Sequence, residues 1–279
     1  MQAANQLSNI AGLLACPWCS AAVSVGSAEL TCQACGRVYP IQQGIALLAR
    51  IGTPEENQTP APTQNPAPSS QAYQQQYQDV AEAAKYNEGY KALSKRINTT
   101  REHSVLDRLL RTQGRTGTLL DIPAGGGRLS PVLEQHTDQL IEADIALGQL
   151  LYGAADPALK KVAVRMTASA FHIPLRSDAV DGTVCCRLSH HLPTATERER
   201  LVAELLRVSK RFVIMTFFDH DSHKNRRRLA LGKPSKLTMT VSQVAELAKR
   251  SGAELVAHQA LFPFFSGHRF AVLVKRSPV

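Results

Sequence analysis

Two Cys-x-x-Cys pairs stand near the start of the chain, Cys16 with Cys19 and Cys32 with Cys35, separated by twelve residues. Each pair presents two thiolates from one tight turn. Two such turns at the ends of a short hairpin close a tetrahedral four-sulfur site, which suits zinc. Pro17 stiffens the first turn and Gly36 lets the chain fold away after the second. Disulfides are the alternative, but the composition is that of a cytoplasmic protein with reduced thiols. Four protein ligands leave no open position, so this metal holds structure rather than doing chemistry. Such a site contributes about 10–16 kcal/mol to a small module that cannot otherwise fold.

At 279 residues the chain has room for one large domain beside the small one. Residues 1–51 read as the ribbon. Residues 52–78 hold five prolines and seven glutamines with little to bury, which predicts a mobile linker. Residues 79–279 read as the large domain. No apolar run is long enough for a membrane span, and the first fifteen residues lack the pattern of a signal peptide. The net charge of +9 favours an anionic partner such as RNA or an acidic lipid headgroup. Cys185 and Cys186 fall in a strand-like stretch and are expected to be buried hydrophobes.

Residues 79–111 read as short helical pieces. From Thr118 onward the pattern alternates. Strands are expected at 119–122, 139–144, 161–165, 179–186 and 211–217, with helices at 129–136, 147–155, 196–208 and 241–249 between or after them. Two further strands, 253–259 and 270–275, follow with no helix between them. This order predicts an α/β fold: a mostly parallel seven-stranded Rossmann-like sheet, helices on both faces and an antiparallel final pair.

The segment Leu120-Asp121-Ile122-Pro123-Ala124-Gly125-Gly126-Gly127 lies between the first strand and the first helix of that sheet, where open α/β folds bind ligands. Its glycines let a cofactor approach the backbone, and Asp121 can accept hydrogen bonds from a cationic ligand. There is no P-loop lysine, and the glycine spacing does not match that of a nicotinamide-binding turn. Asp144, twenty-three residues after Asp121, ends the next strand and can hold both hydroxyls of a ribose. Its alternative role is to cap the following helix.

With these residues in view, the large domain resembles the class I S-adenosylmethionine-dependent methyltransferases, in the branch that includes quinone and small-molecule methylating enzymes. Asp121, Gly125 and Gly127 match the family's D-x-G-x-G-x-G loop, with Pro123 in place of the first glycine. Asp144 matches the ribose-binding acid. Ser169 to Leu175 resembles G-D-A-x-x-L-P-F, with Ser169 where an aspartate commonly stands. Asp178 to Asp181, Leu188 to Leu192 and Arg207 to Lys210 resemble three later segments in the right order, though the last lacks its Pro-Gly. The resemblance implies S-adenosylmethionine held by Asp121, Pro123, Ala124, Gly125, Gly127, Asp144 and Ile145, with Ser169 and Ala170 bordering the adenine. His190, His191 and Arg187, just past the fourth strand, are the candidate catalytic residues facing the acceptor.

The ribbon's Cys-Pro-x-Cys, Cys-x-x-Cys-Gly and Tyr39-Pro40-Ile41 resemble the small zinc-ribbon activator of RNA and translation-factor methyltransferases. Some bacterial rRNA guanine methyltransferases also fuse a zinc module to this kind of domain. The closer motif likeness of the catalytic core favours a small-molecule or lipid acceptor, while the ribbon and the basic charge support an rRNA or tRNA base as the alternative. A non-enzymatic cofactor-binding scaffold is a third reading, and the ribbon offers a surface for a protein partner. Asp219 to His223 is expected to rim the substrate pocket. The basic run from Lys224 to Lys236 is expected to be a loop that either stays in solvent or touches phosphate.

Overall fold

The computed structural model describes residues 2–50, 73, 75–233 and 237–276. The expected linker over 52–78 and Lys236 of the basic run therefore fall largely outside the described residues. The described end of that linker, Tyr73 and Gln75 to Gln78, is not open chain. Tyr73 stacks on Tyr77 at 4.8 Å between ring centroids.

A helix α1 (Gln2–Asn9) precedes the ribbon, where no element was expected. The ribbon strands are β1 (Val23–Val25), β2 (Glu29–Cys32), β3 (Val38–Gln42) and β4 (Ile45–Leu47). The first three pair antiparallel in sequence. Gln43 and Gly44, at φ 48° and 86°, turn β3 into β4. Two positive φ values match the right-handed twist of a two-residue hairpin.

The seven strands of the large domain are β5 (Thr116–Asp121), β6 (Thr137–Asp144), β7 (Val162–Thr167), β8 (Val180–Cys185), β9 (Ser209–Phe218), β10 (Ala253–Ala260) and β11 (His268–Lys275). They lie in the order β7-β6-β5-β8-β9-β11-β10, and β11 runs antiparallel to both its neighbours. The expected seven-stranded sheet is thus present. It is also longer than expected, because β4 of the ribbon adds to its edge. β4 pairs in parallel with β7, Ala46 opposite Met166 and Leu47 opposite Thr167.

The helices are α2 (Val80–Glu88), α3 (Leu93–Gln113), α4 (Ser130–Leu133), α5 (Leu147–Ala154), α6 (Ala195–Val208), α7 (His223–Ala230) and α8 (Val241–Arg250). Central strands are apolar on consecutive residues because both faces are covered. Leu119, Leu140 and Ile214 face α3 and its Val105, Leu106, Leu109 and Leu110. Leu120, Ile141 and Val213 face the other way, toward Leu201, Val202 and Leu205 of α6 and Val244 of α8. The ribbon's Leu7, Ile10, Leu14, Leu30 and Tyr39 belong to this second core. Cys185 and Cys186 are both buried, one toward each face, as expected of small hydrophobes.

Capping boxes start α6 at Thr194 with Glu197 and α8 at Thr240 with Gln243. Three expectations shift. α3 is one continuous helix rather than pieces, since Val105 to Leu110 anchors it to the sheet. The helix expected over 129–136 is a single turn, after which the Glu134 side chain turns aside to accept from Lys161 N at 2.6 Å. The stretch after His223 is helix α7 rather than loop, because Ser222 Oγ caps it by accepting from Asn225 N at 3.3 Å.

Candidate functional site

β5 and β6 end side by side in two buried acids, Asp121 and Asp144. The loop after β5 turns back under Asp144. Gly125 N donates to Asp144 Oδ2 at 2.8 Å, and Ala146 N donates to Oδ1 at 2.9 Å. Gly125 and Gly127 have φ of 56° and 77°, a region that favours glycine. The capping role weighed for Asp144 is not the one it takes: Ala146 stands at the N-cap of α5 with no side-chain cap bond, and the Asp144 bond to Ala146 N closes the turn before the helix. It leaves each oxygen a further lone pair for a ligand hydroxyl.

Asp121 is different. Neither of its oxygens has a hydrogen-bond partner among the described residues. Burial first, and then the charge of Glu142, pushes its carboxyl well above the ordinary range. Burial also pushes Asp144 up to about 6, against three backbone N–H groups that pull the other way. The third acid of the group, Glu142, is paired: Arg165 Nε donates to it at 2.6 Å. A dry carboxyl with no donor is costly in itself. A ligand carrying an ammonium group or several N–H donors would complete it.

Four further residues build this pocket, and the sequence reading did not single them out. Gln149 of α5 is fully buried, with its Nε2 unpartnered among the described residues. Its Oε1 accepts from Asn87 Nδ2 of α2 at 2.8 Å. Asn87 also covers Gly126 so closely that a Cβ there would lie 2.6 Å from its side-chain amide. Tyr73 and Tyr77 complete the cover, and the Tyr77 carbonyl lies where a Cβ on Gly148 would come within 2.5 Å. Tyr73, Tyr77, Tyr86 and Tyr90 form a ladder of rings 4.8 to 5.5 Å apart. The spacing of four residues within Tyr73–Tyr77 and within Tyr86–Tyr90 was the available signal.

Beside β6, Ala168 N donates to the Asp144 carbonyl at 2.9 Å, which brings Ser169 and Ala170 alongside that acid. Ser169 is buried, and its Oγ accepts from Phe171 N at 3.3 Å. The ribbon holds this segment from both ends. Thr167 Oγ1 accepts from Ala49 N at 3.1 Å, Pro174 O accepts from Ala15 N at 3.0 Å, and Leu13 O accepts from Arg176 N at 2.8 Å.

Across the pocket, β8 runs into Arg187, at φ 63°, and then into a short turn at Ser189–His191. Thr216 fixes both: its Oγ1 accepts from Arg187 N and its carbonyl from Ser189 Oγ, each at 2.7 Å. His190 stacks on His191 at 4.2 Å and on Phe218 at 4.3 Å, and His268 closes the group 4.2 Å from Phe218. Burial pulls the His191 imidazole below its ordinary value, so it is neutral near pH 7. The three expected residues do not converge on one point. The Arg187 guanidinium turns away to Glu102 of α3, with Nη2 2.6 Å from Oε1. Arg128 takes the other oxygen of Glu102, and the Tyr90 hydroxyl accepts from Arg187 Nη1 at 3.2 Å. Glu102 is thus a shared anchor that sequence pattern alone did not mark.

In the ribbon, the Sγ atoms of Cys16, Cys19, Cys32 and Cys35 all lie within 4.8 Å of one another. Cys16 and Cys35 are 3.8 Å apart, and Cys19 and Cys32 are 3.4 Å apart. Zinc–sulfur bonds of about 2.3 Å in a tetrahedron put sulfurs about 3.8 Å apart, so the cluster fits the metal. Tyr39 OH, 2.9 Å from Cys16 Sγ, supports one ligand.

Comparison with known proteins agrees with this geometry. Residues 120–215 match the family model of the methyltransferase domain, and residues 12–44 match that of Trm112p-like proteins. No curated protein matches the chain. Among solved structures it is similar to magnesium protoporphyrin IX methyltransferase from Synechocystis PCC 6803 with bound S-adenosylmethionine. That match has 12% identity, covers 77% of this chain and 100% of that one, and has a TM-score of 0.58. A chain of the complex between the Haloferax volcanii Trm112 methyltransferase activator and a methyltransferase matches with 12% identity, over 71% of this chain and 97% of that one, TM-score 0.54. A SAM-dependent methyltransferase from Thermotoga maritima matches with 13% identity, over 71% and 98%, TM-score 0.51.

Residues 120–215 thus carry a methyltransferase-domain match, and the large domain has the fold of S-adenosylmethionine-dependent methyltransferases. Its N-terminal partner on the same chain is a Trm112p-like zinc ribbon, joined to the catalytic sheet through β4.

Proposed function

We propose that the protein methylates a small-molecule or lipid acceptor, using S-adenosylmethionine held at the ends of β5 and β6. The observation that supports the cofactor reading is Asp121, whose two buried oxygens have no donor among the described residues. When bound, the cofactor supplies an electrophilic methyl on a sulfonium. The work left to the protein is binding, alignment and exclusion of water. Asp121 receives the cationic, donor-rich end of the ligand. Asp144 accepts from ribose hydroxyls, with Pro123, Ala124, Gly125, Gly127 and Ile145 shaping the cradle. Ser169 and Ala170 border the base. Asn87, Gln149 and the tyrosine ladder close the site against solvent.

The acceptor side supports a compact substrate. His190, His191, Phe218 and His268 form an aromatic box at the ends of β8 and β9. Neutral His191 can take a proton from an acceptor hydroxyl, while the Arg187 guanidinium is held away from it by Glu102. RNA is the second reading, favoured by the ribbon's family match and the net charge of +9. The ribbon, however, lies beyond β7, with β6 and β5 separating it from β8. Its part is to brace the adenine-side segment. Its docking strand is already paired with its own catalytic domain, which leaves that strand no role in binding a separate methyltransferase.

The test has two stages. Isothermal titration should show S-adenosylmethionine binding that is lost in Asp121→Asn. Methyl-labelled cofactor with fractionated cell extract should then label the organic-soluble fraction. Label in RNA would replace the acceptor assignment, and binding with no transfer to any fraction would leave only a cofactor-binding scaffold.

A further inference from the structure

Three segments outside the proposed cofactor site expose large apolar side chains. The β10–β11 loop, residues 261–267, carries Phe264 and Phe265, which are 66% and 81% exposed. The first turns of α3 expose Leu93 and Ile97, at 74% and 54%, one helical turn apart on the same face. α7 and the turn after it expose Leu229 and Leu231. The three segments adjoin one another through the loop. Phe262 and α3 line a shallow groove between Leu93, Ile97 and Arg101, and Arg101 Nε donates to the Leu261 carbonyl at 3.0 Å. On the other side of the loop the His223 ring lies 6.2 Å from that of Phe264, and buried Asn225 packs against Gly267.

The charge on these segments has one sign. Residues 92–101 carry Lys95, Arg96 and Arg101, and residues 222–233 carry Lys224, Arg226, Arg227, Arg228 and Lys233. Neither stretch contains an aspartate or glutamate, and the loop between them in space has no charge at all. Protruding large apolar side chains within a cationic rim are costly in water and match the boundary between headgroups and acyl chains of an anionic bilayer. A polyanion such as RNA accounts for the cations but gives no gain for Leu93, Ile97, Leu229 and Leu231, which cannot stack on bases.

We propose that this face docks on an anionic lipid surface, with Phe264 and Phe265 inserting and the α3 and α7 cations contacting headgroups. No described helix is long and apolar enough to cross a membrane, so the attachment is interfacial. The loop runs directly into His268 of the aromatic box, so an acceptor leaving the surface meets the site at once. That last statement rests on the proposed function; the docking itself does not.

Flotation of the full chain with vesicles tests it. Binding is expected with phosphatidylcholine–phosphatidylglycerol vesicles, and not with phosphatidylcholine alone, and should weaken with salt. Phe264→Ser with Phe265→Ser should lower the bound fraction at least about tenfold, because apolar burial is lost. Arg226→Glu with Arg227→Glu should do the same through headgroup repulsion. Both double variants lie on the surface and should keep wild-type cofactor affinity, which shows that they fold. Absence of wild-type binding to the anionic vesicles, or binding undiminished by the phenylalanine changes, overturns the inference. So does vesicle-inert protein that binds a single-stranded RNA probe through the same residues. No methyl donor is present, so failure here is distinct from failure of the cofactor titration.

Discussion

Ala15 donates its backbone N–H to the Pro174 carbonyl at 3.0 Å, which joins the residue before the first ligand cysteine to the segment proposed to border the adenine. With the Leu13–Arg176 and Ala49–Thr167 bonds, it makes the ribbon a brace for residues 167–176. Removing the metal should therefore weaken cofactor binding at a distance. Chelation, or Cys32→Ser, is expected to lower the unfolding temperature and to raise the S-adenosylmethionine dissociation constant about tenfold, about 1.4 kcal/mol. Scanning fluorimetry and titration before and after zinc is restored would check this; unchanged affinity in a metal-free, folded protein would show that the brace is unnecessary.

Asp144 gives cofactor binding a pH dependence. Its folded-state value is raised from 3.8 to about 6, so the free protein holds an extra proton in that interval. Its contribution to stability is therefore greatest below the lower value and declines as pH rises through the upper one. The ribose hydroxyls of the proposed cofactor would donate to the ionised form, so affinity should increase between about pH 5 and about pH 7, with proton release on binding. Titration in buffers of different ionisation enthalpy measures the released proton. Asp144→Asn should remove both the release and the pH trend.

A methyl group at Gly148 would meet the backbone of Tyr77 and Asp79 at 2.5 to 2.7 Å, and a backbone cannot swing aside as a side-chain tip can. Gly148→Ala should displace the tyrosine cover and destabilise the fold by about 1–3 kcal/mol. Gly126→Ala meets only the Asn87 amide and should be milder in stability. Thermal melts of the two variants side by side would show the ordering, and equal melts would argue against a fixed cover.

Glu102 is shared by two arginines and is almost fully buried. Glu102→Gln leaves both cations short of their charge partner, at a cost of about 1–3 kcal/mol once the partial exposure of the arginines is allowed for. Because Glu102 holds Arg187 on the proposed acceptor side of the pocket, turnover should fall more than cofactor affinity. A loss confined to cofactor affinity would place the anchor on the wrong side of the pocket.

His190→Ala with His191→Ala should leave cofactor binding intact and reduce turnover by about a hundredfold if a proton is removed from the acceptor. Full turnover in the double variant would remove both residues from the chemistry.

Much of the fold was legible because burial on both faces writes consecutive apolar residues into β5, β6, β8 and β9, and because glycines and acids mark the strand ends. The cysteine spacing was enough to locate the metal cluster. Periodicity could not reveal α1, since a short helix earns its order from Leu7 packing on a core built by residues far along the chain. The site was harder to read. Asp121 and Asp144 announce themselves by position, whereas Asn87, Gln149 and Glu102 matter only because tertiary packing brings three helices over one loop. The side-by-side pairing of Ala46 with Met166 belongs to the same class, as no local pattern encodes which edge a strand will join.

That pairing also sets a ratio. When activator and enzyme are separate molecules, their abundance and mutual affinity decide how many complexes exist. Here every copy of the enzyme is synthesised with its own brace. Docking is a first-order event that dilution does not weaken, so the working assembly should persist at concentrations where a two-chain version would have come apart.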